Sequence, residues 1–99
     1  MVEYLFVYGS LKDPRIQLKI FGRSSRGAPD ILTGYGLEQV EIGGSVYPMI
    51  KPDPFSTVTG SVFTLDENEL KLVDDYQGPQ YKRKKIQLRS NKLAWVYLK

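Results

Sequence analysis

Chemistry in this chain has one natural starting point, the four residues Tyr8-Gly9-Ser10-Leu11 that follow the run Tyr4-Leu5-Phe6-Val7. A β-branched and aromatic run halted by Gly-Ser reads as a buried strand entering a turn. The strand ladder stops there, and glycine has no Cβ, so backbone N–H groups are left where a ligand can approach closely. A nest of that kind suits a carboxylate. A tight turn with no ligand fits the same four residues, and the residues alone leave both readings open.

Other chemistry is narrowed by what the chain lacks. Neither cysteine nor histidine occurs in its 99 residues. Disulfides, Cys-based zinc sites and Ser-His, Cys-His or His-metal chemistry are therefore excluded. Gln77 stands at the end of an acidic stretch, Asp74-Asp75-Tyr76. Alone it reads as a polar helix-end residue that bonds nearby backbone. Tyr81 and Trp95 suit a core or strand surface as well as a ligand platform. The run Lys82-Arg83-Lys84-Lys85 after Tyr81 has the composition of an aromatic-containing basic strand that binds nucleic acid. Edge strands commonly carry lysine for protection, and that is the expectation here, so nucleic acid is not the expected partner. A net charge of +3 and a pI of about 9.2 also suit small acidic ligands.

The elements that must position these residues are legible in outline. Asp13, Pro14 and Gly22 are start and stop signals around a short helix with apolar Ile16, Ile20 and Phe21. Arg23 to Pro29 is rich in turn formers and reads as an exposed loop. Ile31 to Ile42 has strand character, Gly34 and Gly36 invite a bend or bulge, and Gly43-Gly44 predicts a two-residue hairpin turn. Pro48, Pro52 and Pro54 confine Met49 to Phe55 to an edge or a loop. Thr57 to Leu65 reads as a strand running into a second helix, capped by Asp66 with Glu69 and stapled by Leu65 and Leu70. That helix is expected to end near Asp74-Asp75-Tyr76, where carboxylates oppose its dipole. Tyr81 to Arg89 and Lys92 to Lys99 flank Ser90-Asn91 as a hairpin, with Leu93, Trp95 and Tyr97 on one face.

A chain of 99 residues fits one domain, residues 1–99, and its 41% apolar and 25% charged composition can bury a core. No apolar stretch approaches the roughly 20 residues needed to span a bilayer, and no signal-type segment is seen. The expectation is a cytoplasmic protein with no membrane partner, a monomer or weak dimer.

Taken in order, Phe6-Val7-Tyr8-Gly9-Ser10-Leu11, Tyr47-Pro48-Met49-Ile50, Val58 to Leu65 and Val73-Asp74-Asp75-Tyr76-Gln77-Gly78-Pro79-Gln80-Tyr81-Lys82-Arg83 resemble the γ-glutamyl cyclotransferase-like family, also called AIG2-like. The resemblance runs from about Tyr4 to Tyr97. It implies an α+β fold, a small mixed β-barrel with flanking short helices, and a pocket at the end of the first strand. In enzymes of that family the α-amine of a γ-glutamyl group attacks its own γ-carbonyl, releasing 5-oxoproline and a free amine without cofactor or metal. By the same resemblance, Tyr8, Gly9, Ser10 and Leu11 anchor the α-carboxylate of a small γ-glutamyl or other carboxylate-bearing ligand, and Tyr81 helps line the pocket. The family's general base, a Glu immediately before a Gly, falls on Gln77. A carboxamide cannot take up the ammonium proton at neutral pH, which argues against efficient cyclisation and leaves two readings open, a cyclotransferase-type enzyme with its base altered or supplied elsewhere and a catalytically impaired small-carboxylate-binding domain on the same fold.

Overall fold

In the computed structural model, which describes Val2 to Leu98 apart from the side chain of Ser10, the elements are β1 (Val2–Val7), a 3₁₀ turn (Ser10–Lys12), α1 (Pro14–Phe21), β2 (Ala28–Ile42), β3 (Ser45–Asp66), α2 (Glu67–Gln77), β4 (Lys82–Gln87) and β5 (Leu93–Leu98). One five-stranded sheet runs in the order β2-β3-β1-β5-β4. It is mixed, because β1 pairs parallel to β5 while every other pairing is antiparallel, and it curls into a half-barrel. Among the described residues no helix is long and apolar enough to cross a membrane.

Local signals account for the elements. Asp13 caps α1 by accepting from the Arg15 backbone N–H at 2.9 Å, Pro14 occupies the first turn, and Gly22 closes the helix with its N–H on the Leu18 carbonyl. At α2 the reciprocal capping box is complete: Glu69 N–H donates to Asp66 at 2.8 Å and Asp66 N–H to Glu69 at 3.1 Å. Gly43 and Gly44 both take positive φ, 59° and 85°, as a two-residue turn matching strand twist demands. They join Ile42 directly to Ser45 in register. A register shift between Thr33 and Tyr35 places the expected bulge at Gly34.

Three expectations change in detail. The segment with Pro48, Pro52 and Pro54 is strand throughout, as the first half of β3. Only Val2–Val7 covers the other side of β3, at Ser61–Asp66, so these prolines sit where a missing N–H costs no ladder bond to β1. Helix α2 runs on to Gln77, because the Asp74 carboxylate at its unfavourable end is met by Arg83 at 2.9 Å and by the Tyr97 hydroxyl at 2.6 Å. The loop after α1 is tied down: Arg23 grips Glu69 and the Thr64 carbonyl, and β2 takes up the chain from Ala28.

The two sheet faces carry separate cores. Leu5, Val7, Phe63, Leu65 and Tyr97 pack under Leu70 and Val73 of α2, with Ile16 and Ile20 of α1 against them. Inside the curl, Phe6, Leu32, Ile50, Val58, Val62, Leu88, Ala94 and Val96 form the second cluster. Trp95 and Tyr97 face α2 as alternation requires, while Leu93 on the same parity is 57% exposed. The seam between the outer strands is stitched at one end, where the Arg89 N–H donates to the Ile31 carbonyl at 2.9 Å and Ser90 bonds Asp30. Toward the other end, the Tyr81 hydroxyl donates to the Pro48 carbonyl at 2.9 Å.

Candidate functional site

β1 ends in the buried run Leu5-Phe6-Val7, beside the buried Gly60 of β3. A Cβ on Gly60 would lie 2.4 Å from the Val7 carbonyl oxygen and 2.7 Å from the Phe6 ring. Glycine there is what lets β1 and β3 close tightly just before the chain leaves the sheet. The chain then enters the 3₁₀ turn, where the Lys12 N–H returns to the Gly9 carbonyl at 3.1 Å. The first N–H groups of such a turn have no acceptor within it, so Ser10 and Leu11 present donors at the strand end. Leu11 itself is buried and pins the turn to the α2-side core.

A side chain missed by sequence reasoning holds this turn in place. Gln17 of α1 is fully buried; its amide donates to the Leu11 carbonyl at 2.7 Å and accepts from the Ser25 N–H at 2.6 Å. The signal was present: Gln17 sits inside the apolar stripe Ile16, Ile20, Phe21, and a polar residue there needs a buried partner.

A cavity of about 230 Å³ opens at this strand end, lined by Phe6, Val7, Tyr8, Gly9 and Leu11 from one side and by Tyr47, Pro48, Tyr76, Gln77, Tyr81 and Tyr97 from the others. It brings together the predicted Tyr8, Gly9, Leu11, Gln77 and Tyr81. For Ser10 the structure describes the backbone, in the first position of the 3₁₀ turn, and its side chain lies outside the described residues. Tyr47, Pro48, Tyr76 and Tyr97 join the lining from positions that sequence placed only on strands or at a helix end. The volume falls below the roughly 300–1,000 Å³ of drug-sized sites and matches a ligand of amino-acid size. Pro48 leans over the turn, since a Cβ on Gly9 would touch its ring at 3.3 Å.

The tyrosines are fixed rather than free to swing. Tyr8 donates to the Tyr97 carbonyl at 2.8 Å, Tyr81 to the Pro48 carbonyl, and Tyr97 to Asp74. Burial pushes the pKa values of Tyr8, Tyr81 and Tyr97 above the ordinary tyrosine value, with neighbouring Tyr81 adding for Tyr8 and the Asp74 carboxylate adding for Tyr97. All three are neutral phenols across physiological pH. Behind Tyr81 and Tyr97 lies a broader, more open cleft bordered by Asp74, Asp75, Lys82, Arg83 and Trp95. Asp74 and Asp75 thus belong to the cleft and not to the lining of the enclosed cavity. Arg83 is drawn there too, on Asp74 and 4.3 Å above the Trp95 ring. Among the described residues no group of acidic side chains is placed to hold a metal ion.

A family model for gamma-glutamyl cyclotransferase, AIG2-like proteins matches residues 5–99. The chain belongs to that family. A curated relative, AIG2-like protein C of Arabidopsis thaliana, is 33% identical over 85 residues, 85% of this chain and 48% of the relative. The chain spans about half the length of the curated relatives it matches. A solution structure of an Arabidopsis thaliana protein superposes with a TM-score of 0.80 at 25% identity, covering 98% of this chain and 68% of that one. A solved chain named gamma-glutamyl cyclotransferase shares the fold, with a TM-score of 0.75 at 19% identity over 99% of this chain and 66% of that one.

Proposed function

We propose that the cavity at the end of β1 binds a small carboxylate-bearing ligand of the γ-glutamyl type and does not cyclise it efficiently. The carboxylate would rest on the backbone N–H groups of Gly9, Ser10 and Leu11, between the Tyr8 and Tyr81 side chains. The observation that carries the second half is the cavity wall: its described lining includes Gln77 and no carboxylate. Cyclisation needs a neutral amine as nucleophile, and a γ-glutamyl ligand arrives as an ammonium. A carboxamide at position 77 holds no basic lone pair for that proton. Loss of a positioned base costs on the order of 10²- to 10⁴-fold in rate, while the intramolecular attack keeps its proximity advantage.

The discriminating experiment incubates wild type and Gln77→Glu with γ-glutamyl amines and follows 5-oxoproline by NMR, with ligand titration in parallel. Wild type is expected to bind saturably and to release 5-oxoproline slowly or not at all, and Gln77→Glu to gain about 10²-fold or more in rate. Fast turnover by wild type would overturn the binder reading in favour of an enzyme with its base elsewhere. Failure of any carboxylate to bind would remove the site.

A further inference from the structure

Among the described residues the buried side chains are apolar or aromatic with one exception, Gln17 of α1, which has no exposed surface. Its amide fits in only one orientation. The Leu11 carbonyl can only accept and takes the Nε2 donor at 2.7 Å, while the Ser25 N–H can only donate and takes Oε1 at 2.6 Å. Ser25 belongs to a loop that is itself fixed. Its hydroxyl accepts from the Gly27 N–H at 3.2 Å, and a Cβ on Gly27 would run into the Phe63 ring of β3. Gln17 does not line the cavity, so the bond it makes turns the Leu11 carbonyl oxygen out of the site. The Gly9 carbonyl is engaged too, by the Lys12 N–H at 3.1 Å. Withdrawing these two oxygens biases what the turn shows a ligand toward N–H donors, as an anion requires.

We propose that Gln17 is a positioning residue for carboxylate binding: by tying the Leu11 carbonyl to α1 and to the Ser25 loop, it keeps the turn from Gly9 to Leu11 in its anion-accepting form. This role rests on the carboxylate anchor proposed above and accounts for its geometry. Without the amide, the Leu11–Lys12 peptide loses the bond that fixes its plane, and its oxygen can turn toward a bound carboxylate and repel it. A hydrocarbon side chain at position 17 leaves two buried backbone groups unpaired. A neutral carboxylic acid restores both bonds, its O–H donating to Leu11 and its C=O accepting from Ser25. A carboxylate has no proton to give the Leu11 oxygen. Gln17→Glu therefore makes ligand binding depend on pH, in a cavity whose described lining holds no carboxyl, histidine or amine side chain.

The test titrates γ-glutamylethylamide into the full chain and follows the backbone amide resonances of Ser10 and Leu11, in wild type, Gln17→Glu and Gln17→Met, at about pH 5 and about pH 8. Asp13 of the turn and Glu69 of the neighbouring α2 stay ionised across this range, because hydrogen bonds from Arg15 and Arg23 hold their carboxyls below the ordinary value. The introduced carboxyl, raised by burial, is the group that changes charge. Wild type is expected to shift both amides saturably, with one affinity at the two pH values. Gln17→Glu should bind within about threefold of wild type at the lower pH and about tenfold more weakly at the higher, and Gln17→Met about tenfold more weakly at both. Should Gln17→Met fail to fold, the pH profile of Gln17→Glu decides alone. Equal affinity of wild type and Gln17→Glu at the higher pH overturns the role of Gln17 and leaves the anchor standing. A loss in Gln17→Glu that is the same at both pH values also overturns it, by assigning the effect to packing. The other amide resonances report the fold in the same samples, and a weakening that appears only with their collapse overturns it too. If wild type binds γ-glutamylethylamide at neither pH, anchor and positioning role fall together.

Discussion

Gly60 does at the level of a single residue what no side chain could do. With the Val7 carbonyl oxygen 2.4 Å from the position of a Cβ, Gly60→Ala forces either β1 or β3 to move. Overpacking against backbone costs about 3 kcal/mol, read as a lower midpoint in denaturant unfolding, and the shift would distort the strand end on which the cavity depends. Nothing in the sequence distinguishes Gly60 from the other glycines, because its role arises from a neighbour 53 positions away in the chain. Gly9 and Tyr8 were legible, since a halted hydrophobic run announces a strand end. Tyr97 was legible only as a strand residue. Its place in the cavity wall depends on the parallel pairing of β5 with β1, which periodicity cannot reveal.

Among the elements, α2 is the one best specified by its own sequence and the one that carries Gln77 into the cavity wall. Its start combines the capping box with the Arg23 guanidinium, which meets Glu69 at 2.7 and 2.9 Å. Hydrogen bonding from Arg23 holds the Glu69 carboxyl below its ordinary value of 4.5. A carboxyl depressed in the folded chain stabilises it above the unfolded value and loses that contribution as pH falls through the folded one. Glu69→Gln removes the ion pair while leaving an oxygen to accept from Asp66. The variant is expected to be about 0.5 kcal/mol less stable at pH 7, a modest value because the Arg23 side chain is 46% exposed and surface pairs are screened. Thermal unfolding should show the gap to wild type closing as pH falls below 4.5. A gap unchanged at pH 3 would mean that packing, not charge, is responsible. The end of α2 was harder to read than its start: two carboxylates there argue for termination, and the compensating Arg83 and Tyr97 come from other strands.

The whole molecule is electrostatically lopsided. Seven of its 14 basic residues lie in the last 20 positions, which contain none of the 11 acidic ones. The β4–β5 hairpin carries this charge to the sheet's outer edge, where Lys82 and Lys84 are exposed while Arg83 and Lys85 lie over the Trp95 ring. Two copies meeting edge to edge at β4 would oppose like charges, an arrangement that guards an open strand against self-pairing. Replacing both Lys82 and Lys84 with valine is expected to raise self-association, visible as concentration-dependent mass by light scattering, with little change in the monomer's unfolding midpoint. A variant that stayed monomeric would show that the edge is protected by the seam contacts alone. The basic edge and the strands were readable from composition. The curl that stitches Arg89 to Ile31 and Tyr81 to Pro48 was not, because it joins residues related only through the order of strands in the sheet.

Trp95 lies where the parallel strands β1 and β5 meet, opposite Leu5, with Arg83 and Lys85 over its ring and its indole N–H 3.5 Å from Glu3. It is the sole tryptophan among 99 residues. Its emission therefore reports on one junction, at the centre of the sheet's order and beside the cleft behind Tyr81 and Tyr97. The molecule carries its own optical gauge of whether its first and last strands are joined, and it stands two residues away, along β5, from the tyrosine that walls the cavity.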